Sequence, residues 1–265
     1  MESVLKQRAI SAFIFVTIVI SLFAIGRYGV LILLLSLLCG TLYEICRLDK
    51  FTLSTNLLTI IGALGFVFIF QKYLTQFSNL KMLALFLGVF LHLVLTIVLI
   101  ISERPIYPII KSTVFVYPVM GIALATDALI VDSSALQMIL GTILFIWVCD
   151  SGAYLVGRKL GKHKLFERVS PKKTWEGFIG SLVFTMAIAY PVALILPDLS
   201  FITWLLIATH VVIFGTIGDL IQSKVKREFG VKDSGNLLPG HGGWWDRFDS
   251  FLFVLPFVLL IVTFF

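Results

Sequence analysis

Nine apolar stretches separated by short polar segments leave this chain few ways to fold in water. They run Ala9–Ile25, Val30–Cys46, Leu57–Phe70, Met82–Ile101, Thr113–Ile130, Ala135–Val156, Phe178–Leu196, Phe201–Ile221 and Phe248–Phe265. A bilayer core takes about 20 apolar residues as a helix, within a range of ~17–25. The third stretch is the shortest, and it crosses only if Gln71 and Lys72 snorkel to the interface. Of 265 residues, 59% are hydrophobic and 14% are charged, and the mean hydropathy is +1.03. That leaves too little polar surface to cover a water-soluble particle of this size. Disordered, collagen-like and disulfide-scaffold classes are excluded as well. The expected fold is all-α: a polytopic integral membrane protein of about nine transmembrane helices.

Lys and Arg number 21 against 15 Asp and Glu, a net charge of +6. In a soluble domain that excess would point to nucleic acid. Here loops rich in Lys and Arg on the cytoplasmic side explain it, and no nucleic-acid partner is expected. Nine crossings put the termini on opposite sides. Only Arg27, Lys72 and Lys81 then fall on the far side, and the other 18 of 21, Arg104 and Lys111 included, share the N-terminal side. The N-terminus is therefore expected in the cytoplasm, with the chain in the plasma (inner) membrane. The first span follows Lys6 and Arg8 without a small-residue cleavage site and is read as retained. Two regions are expected: spans 1–5 over residues 1–134, and a catalytic region over 135–265 with cytoplasmic loops 157–177 and 222–247.

Several residues have plain structural readings. Cys39, Cys46 and Cys149 lack metal or disulfide spacing and read as small core hydrophobes. Pro118, Pro191 and Pro256 read as kinks inside spans. His92 and His210, near mid-span, read as helix–helix hydrogen-bonding groups.

The carboxylates are harder to dismiss. An Asp at a helix centre costs about 2.5–3.5 kcal/mol on insertion scales, yet Asp150, Asp219, Asp246 and Asp249 all lie in or at the ends of spans, toward one face. Asp246 and Asp249 are spaced i, i+3 and share a helix face if the helix includes both; the plain alternative is N-terminal capping. Asp219, near a helix C-terminus, opposes the macrodipole and calls for a positive partner. Mg²⁺ is the natural candidate, because it takes one or two carboxylates and keeps sites for phosphates. Glu44 either joins this cavity or pairs with Arg47, and the pair is the favoured reading.

Both long loops have features of phosphate binders. Ser170-Pro171 reads as a helix N-cap followed by N1, with Lys172 and Lys173 in the first turn. Those lysines favour the helix only if an anion is present. The second loop carries Ser223, Lys226, Arg227, Lys232, Asp233, Ser234 and Asn236, then Gly240, His241, Gly242, Gly243, Trp244, Trp245, Asp246 and Arg247. Its glycines allow successive N–H groups to face a phosphate. Metal-binding carboxylates beside basic, glycine-rich loops describe phosphoryl or nucleotidyl transfer at a membrane surface.

Ser223–Asp249 resembles the signature of phosphatidate cytidylyltransferases: Ser-x-apolar-Lys-Arg, four residues, Lys-Asp, then a small-residue stretch into His-Gly-Gly-x-x-Asp-Arg-x-Asp. Ser223, Lys226, Arg227, Lys232, Asp233, Pro239, His241, Gly242, Gly243, Asp246, Arg247 and Asp249 all match. The departure is Trp244, where the family usually has a smaller apolar residue. Ser170–Gly177 also looks like a family segment. The resemblance implies that CTP and phosphatidic acid give CDP-diacylglycerol and pyrophosphate. It implies Mg²⁺ between Asp219 and Asp246, a second, potassium-type cation, and a homodimer. Lys173, Lys226, Arg227, Lys232 and Arg247 would hold phosphates, together with Lys172, Ser223, Asp233, Asn236, Gly242, Gly243 and His241 around the substrates. Asp249 would ligate the metal or position Arg247, and Asp150 and Ser151 would line the cavity. A CTP-dependent polyprenol or phytol kinase is the alternative, and an ion transporter using Asp150 and Asp219 is a more distant one.

Overall fold

In lipid the chain must satisfy its own backbone polar groups, and over the apolar stretches it does so as helix. The structure, a computed structural model, describes residues 2–50, 52–74, 78–101, 107–236 and 242–265. Arg104, Pro239, Gly240 and His241 lie outside the described residues. The order of elements is α1 (Glu2–Ala24), α2 (Arg27–Leu48), α3 (Leu53–Leu74), α4 (Ser78–Ile101), α5 (Tyr107–Val131), α6 (Ala135–Leu160), β1 (Lys164–Phe166), β2 (Ser170–Thr174), α7 (Trp175–Ile195), α8 (Phe201–Glu228) and α9 (Trp245–Phe264).

Among the described residues, seven helices are long and apolar enough to cross a bilayer. The third, expected to be marginal, is among them, because its helix continues through Gln71 and Lys72. The shorter apolar runs are instead Phe13–Ala24 and Met82–Val98, in α1 and α4. Helix α3 exposes Leu53, Leu57, Leu58, Ile61, Phe66, Phe68 and Ile69. Such a face suits lipid contact and would be an aggregation hazard in water.

Helix α9 is the central element, in contact with α2, α4, α5, α6 and α8. It buries Phe251, Phe253, Leu255 and Phe257 along its length, and Phe257 stacks on Phe214 of α8 with ring centroids 3.6 Å apart. Pro118, Pro191 and Pro256 sit inside α5, α7 and α9, as expected. Helices α6 and α7 form a tight pair: a Cβ built at Gly177 would lie 2.8 Å from the Ala153 carbonyl, so only glycine fits that crossing.

The polar connections differ from expectation. Helix α8 runs to Glu228, past the end of the apolar stretch at Ile221, so Ser223, Lys226 and Arg227 are helical rather than in a loop. Ser170-Pro171 does not start a helix: Ser170–Thr174 is a strand paired antiparallel with Lys164–Phe166, Lys164 facing Thr174 and Phe166 facing Ser170. Pro171 is tolerated there because both strands of a two-stranded sheet are edges. The N-cap of α7 is Thr174, whose Oγ1 accepts the Gly177 N–H at 3.1 Å. Glu176 fastens the hairpin's entry by accepting the Lys162 N–H at 3.0 Å.

Candidate active site

Asp219, Gln222, Ser223 and Lys226 fall at i, i+3, i+4 and i+7 along α8 and so share one face. The first turn of α9 lies against that face, with the Asp249 carbonyl and Phe253 seated over Gly218. Asp246 is almost fully enclosed by donors. Its Oδ1 accepts from Lys226 Nζ at 2.5 Å and Gln222 Nε2 at 3.2 Å. Its Oδ2 accepts the N–H groups of Ser234 and Gly243, both at 2.8 Å. Gly242 takes φ +88°, a left-handed turn that favours glycine, and a Cβ there would lie 3.0 Å from Asp246 Oδ2.

Asp219 is held differently. Its Oδ2 meets Lys173 Nζ at 2.5 Å and its Oδ1 accepts from Ser223 Oγ at 3.2 Å. The charge of Lys226 acts on Asp219 and Asp249 as well as on Asp246. Asp150 and Asp219 repel across the α6–α8 junction, and Lys173 and Arg247 offset that repulsion at Asp150. Burial pulls the Lys173 ammonium down, but the Asp219 charge and hydrogen bond, with Asp150 and Asp249 behind, outweigh it and hold Lys173 above its ordinary value.

A cavity of about 230 Å³ opens beside these groups between α6, β2, α7, α8 and α9. Asp150, Lys172 and Lys173 supply its charged wall, while Ile146, Cys149, Phe178 and Val211 line it with apolar surface. Asp150 is exposed to this space.

The expected site residues thus divide. Asp150, Lys173, Asp219, Ser223, Lys226, Asp246, Asp249, Gly242 and Gly243 come together. Ser151 turns back to donate to the Trp147 carbonyl at 2.8 Å. Arg227 is exposed and braces the end of α8 by donating to the Val231 carbonyl at 2.8 Å. Lys232, Asp233, Asn236 and Arg247 are exposed, with Asp233 beside Gly242.

Glu44 overturns its favoured reading. Among the described residues its partners are the Trp244 N–H at 2.7 Å, the Trp245 N–H at 2.9 Å and Ser234 Oγ at 2.5 Å, not Arg47. A carboxylate beside the free N–H groups of a helix start is better satisfied than one paired in solvent with a neighbouring Arg. Trp244 also finds its place: its indole lies over Gly40 of α2, where a Cβ would collide with the ring, and its ring meets those of Phe15 and Phe248. Sequence reasoning also passed over Gln222, whose signal was its position one turn before Lys226, and Tyr117, whose hydroxyl accepts from Trp245 Nε1 at 2.9 Å.

Positive charge is already gathered at the acids, with an ammonium on Asp219 and another on Asp246, the latter shared electrostatically by three carboxylates. Among the described residues no three His, Cys, Asp or Glu side chains form a metal cage. The donor set suits a cation that takes one or two carboxylates and fills its remaining positions with phosphate and water, as Mg²⁺ does.

A profile of the cytidylyltransferase family matches residues 6–265. The chain belongs to this family. It is 48% identical over 132 residues to a phosphatidate cytidylyltransferase of Staphylococcus saprophyticus, covering 49% of this chain and 50% of that one. It is 49% identical over 132 residues to the phosphatidate cytidylyltransferase of Staphylococcus haemolyticus, with the same shares. The chain therefore spans about half the length of these staphylococcal relatives. Against the phosphatidate cytidylyltransferase of Bacillus subtilis it is 33% identical over 276 residues, 98% of each chain. The family read from Ser223–Asp249 is borne out.

Proposed function

We propose that this chain is a membrane-embedded phosphatidate cytidylyltransferase that converts CTP and phosphatidic acid to CDP-diacylglycerol and pyrophosphate. The observation that carries the reading is Lys173, whose Nζ meets Asp219 and which forms, with Lys172 and Asp150, the charged edge of an otherwise largely apolar cavity. That edge offers cationic groups to phosphates, and the apolar wall suits the acyl chains of a lipid. A phosphate oxygen of phosphatidic acid attacks the α-phosphorus of CTP in line. The bond from that phosphorus to the bridging oxygen breaks, and pyrophosphate leaves with the electron pair. A phosphate dianion is already a competent nucleophile, so no side-chain base is needed.

Asp219 and Asp246 would hold Mg²⁺, which neutralises charge on the reacting phosphates. Lys173 and Lys226 turn from their carboxylates to the phosphate oxygens, and Arg247 adds charge near Asp150. Asp249 and Asp150 keep the ammonium groups charged and oriented. The strong bias of Lys and Arg to one side supports a cytoplasmic opening.

The test is purified chain in detergent with phosphatidic acid, Mg²⁺ and CTP labelled separately at the α and γ positions. Label from the α position is expected in lipid, with one pyrophosphate released per turnover. Label from γ appearing in lipid would move the chain to lipid-kinase chemistry, and no lipid label from either position would end the proposal.

A further inference from the structure

One side chain of the region over residues 1–134 reaches into the region over 135–265. Glu44, on α2, is 1% exposed, and about 190 residues of sequence separate it from the groups it holds. Its two oxygens take three donors: the Trp244 N–H on Oε1, and the Trp245 N–H and Ser234 Oγ on Oε2. Two of these are main-chain groups at the start of α9, which has no side-chain cap of its own. The carboxylate of a remote helix therefore does the work of a cap. Space around it is tight: a Cβ at Gly243 would run into Glu44 Oε2 and Ser234 Oγ, and one at Gly235 would lie 2.5 Å from Glu44 Oε1.

The same donors bear on Asp246. Ser234 gives its hydroxyl to Glu44 and its N–H to Asp246, and Gly243, which also donates to Asp246, immediately precedes Trp244. Gly40, one helical turn before Glu44, makes the notch for the Trp244 indole. Two independent contacts from α2 thus register the same few residues that orient Asp246.

We propose that Glu44 is a positioning residue of the transfer site: it fixes Ser234 and the start of α9 so that Asp246 meets Lys226, and so makes the α1–α5 half a working part of that site. Glu44 touches no reacting atom. It acts through the orientation of Asp246, so its removal lowers turnover more than it weakens nucleotide binding. The kinetic part of this inference rests on the proposed transferase reading; the structural part does not.

The experiment compares Glu44→Gln, Glu44→Asp and Ser234→Ala with the unaltered full-length chain in detergent, by hydrogen exchange and by steady-state kinetics with CTP. A glutamine keeps one acceptor oxygen but turns an NH₂ group toward N–H donors. In Glu44→Gln, exchange at Trp244 and Trp245 is expected to quicken about tenfold or more, the worth of roughly one hydrogen bond. The expected loss in kcat is about 10- to 100-fold, with KM for CTP within about threefold. Glu44→Asp should recover part of kcat. Ser234→Ala, a gentler change, should shift the same readouts in the same direction by less. Unchanged exchange at Trp244 and Trp245 in Glu44→Gln overturns the proposal, as does quickened exchange there with kcat unaltered. Uniform quickening along all the described helices in both Glu44→Gln and Ser234→Ala would make these contacts supports of the fold alone, and also overturns it. Should the unaltered chain show no activity with CTP, the transferase reading fails, while the exchange comparison still decides whether Glu44 holds α9.

Discussion

The two polar connections at the basic end of the bundle carry similar chemistry but are built in opposite ways. The hairpin after α6 is organised locally: β1 pairs with β2, Thr174 caps α7 and Glu176 ties the entry. It leaves Lys162, Lys164 and Lys172 exposed and brings Lys173 to Asp219. The connection between α8 and α9 has no helix or strand among its described residues, and carboxylates hold it from outside, Asp246 from α9 and Glu44 from α2. A locally built element tolerates change away from its one inward residue. A segment held by distant acids loses its shape when either acid goes.

The largest effect that would sharpen this contrast is at Asp246. Asp246→Ala removes the carboxylate bonded to the buried Lys226 ammonium, leaving it only the charges of Asp219 and Asp249, and frees two main-chain N–H groups, so turnover should fall about 10³-fold or more and stability by about 1–3 kcal/mol. Paired rate and denaturant-unfolding measurements check both; a variant that keeps its activity would remove the basis for the contrast. Asp219→Ala should abolish turnover comparably while leaving the α8–α9 connection in place, because Asp219 bonds only to Lys173 and Ser223 in the described structure. Metal dependence should join the two acids again: any response of tryptophan fluorescence to Mg²⁺ in the absence of substrate should be lost in both Asp219→Ala and Asp246→Ala.

A smaller effect is expected from the hairpin. Lys173→Ala should raise KM about tenfold with less change in kcat, in keeping with a group that binds phosphate at the rim; a kcat-dominated loss would place Lys173 at the reacting centre instead. The sign of its titration is fixed by its surroundings. A lysine held above its ordinary value keeps its charge, and its contribution to stability, at every pH below that value and loses both only as pH rises through the higher one. Lys173 should therefore resist amine-selective labelling at about pH 9, where exposed lysines begin to react. Least affected should be Lys164→Ala, whose ammonium bonds only the Pro171 carbonyl in the described structure; a change within about twofold is expected.

Much of this was legible in one dimension. The apolar stretches specify helices because lipid leaves a spanning backbone no other way to satisfy itself. The acids at one end of the bundle, and the pattern from Ser223 to Asp249, carry the family and most of the residues the structure brings together. The helix boundaries were less legible. Hydrophobicity stops at Ile221, but α8 continues to Glu228, since a polar residue ends a membrane stretch without ending a helix. Ser170-Pro171 has the local form of a helix start, and only the pairing of Lys164–Phe166 with Ser170–Thr174 makes it a strand.

Sequence by itself therefore determined that this chain has the apolar helices of a membrane protein, which family it belongs to and toward which end of the helices its acids gather, because each of these depends on composition and short spacing. Tertiary structure alone decided which acid meets which ammonium, that Trp244 rests on Gly40, and that Glu44 turns from Arg47 to the start of α9. Those choices join residues up to 201 positions apart, and no local preference of the chain can encode a partner at that distance.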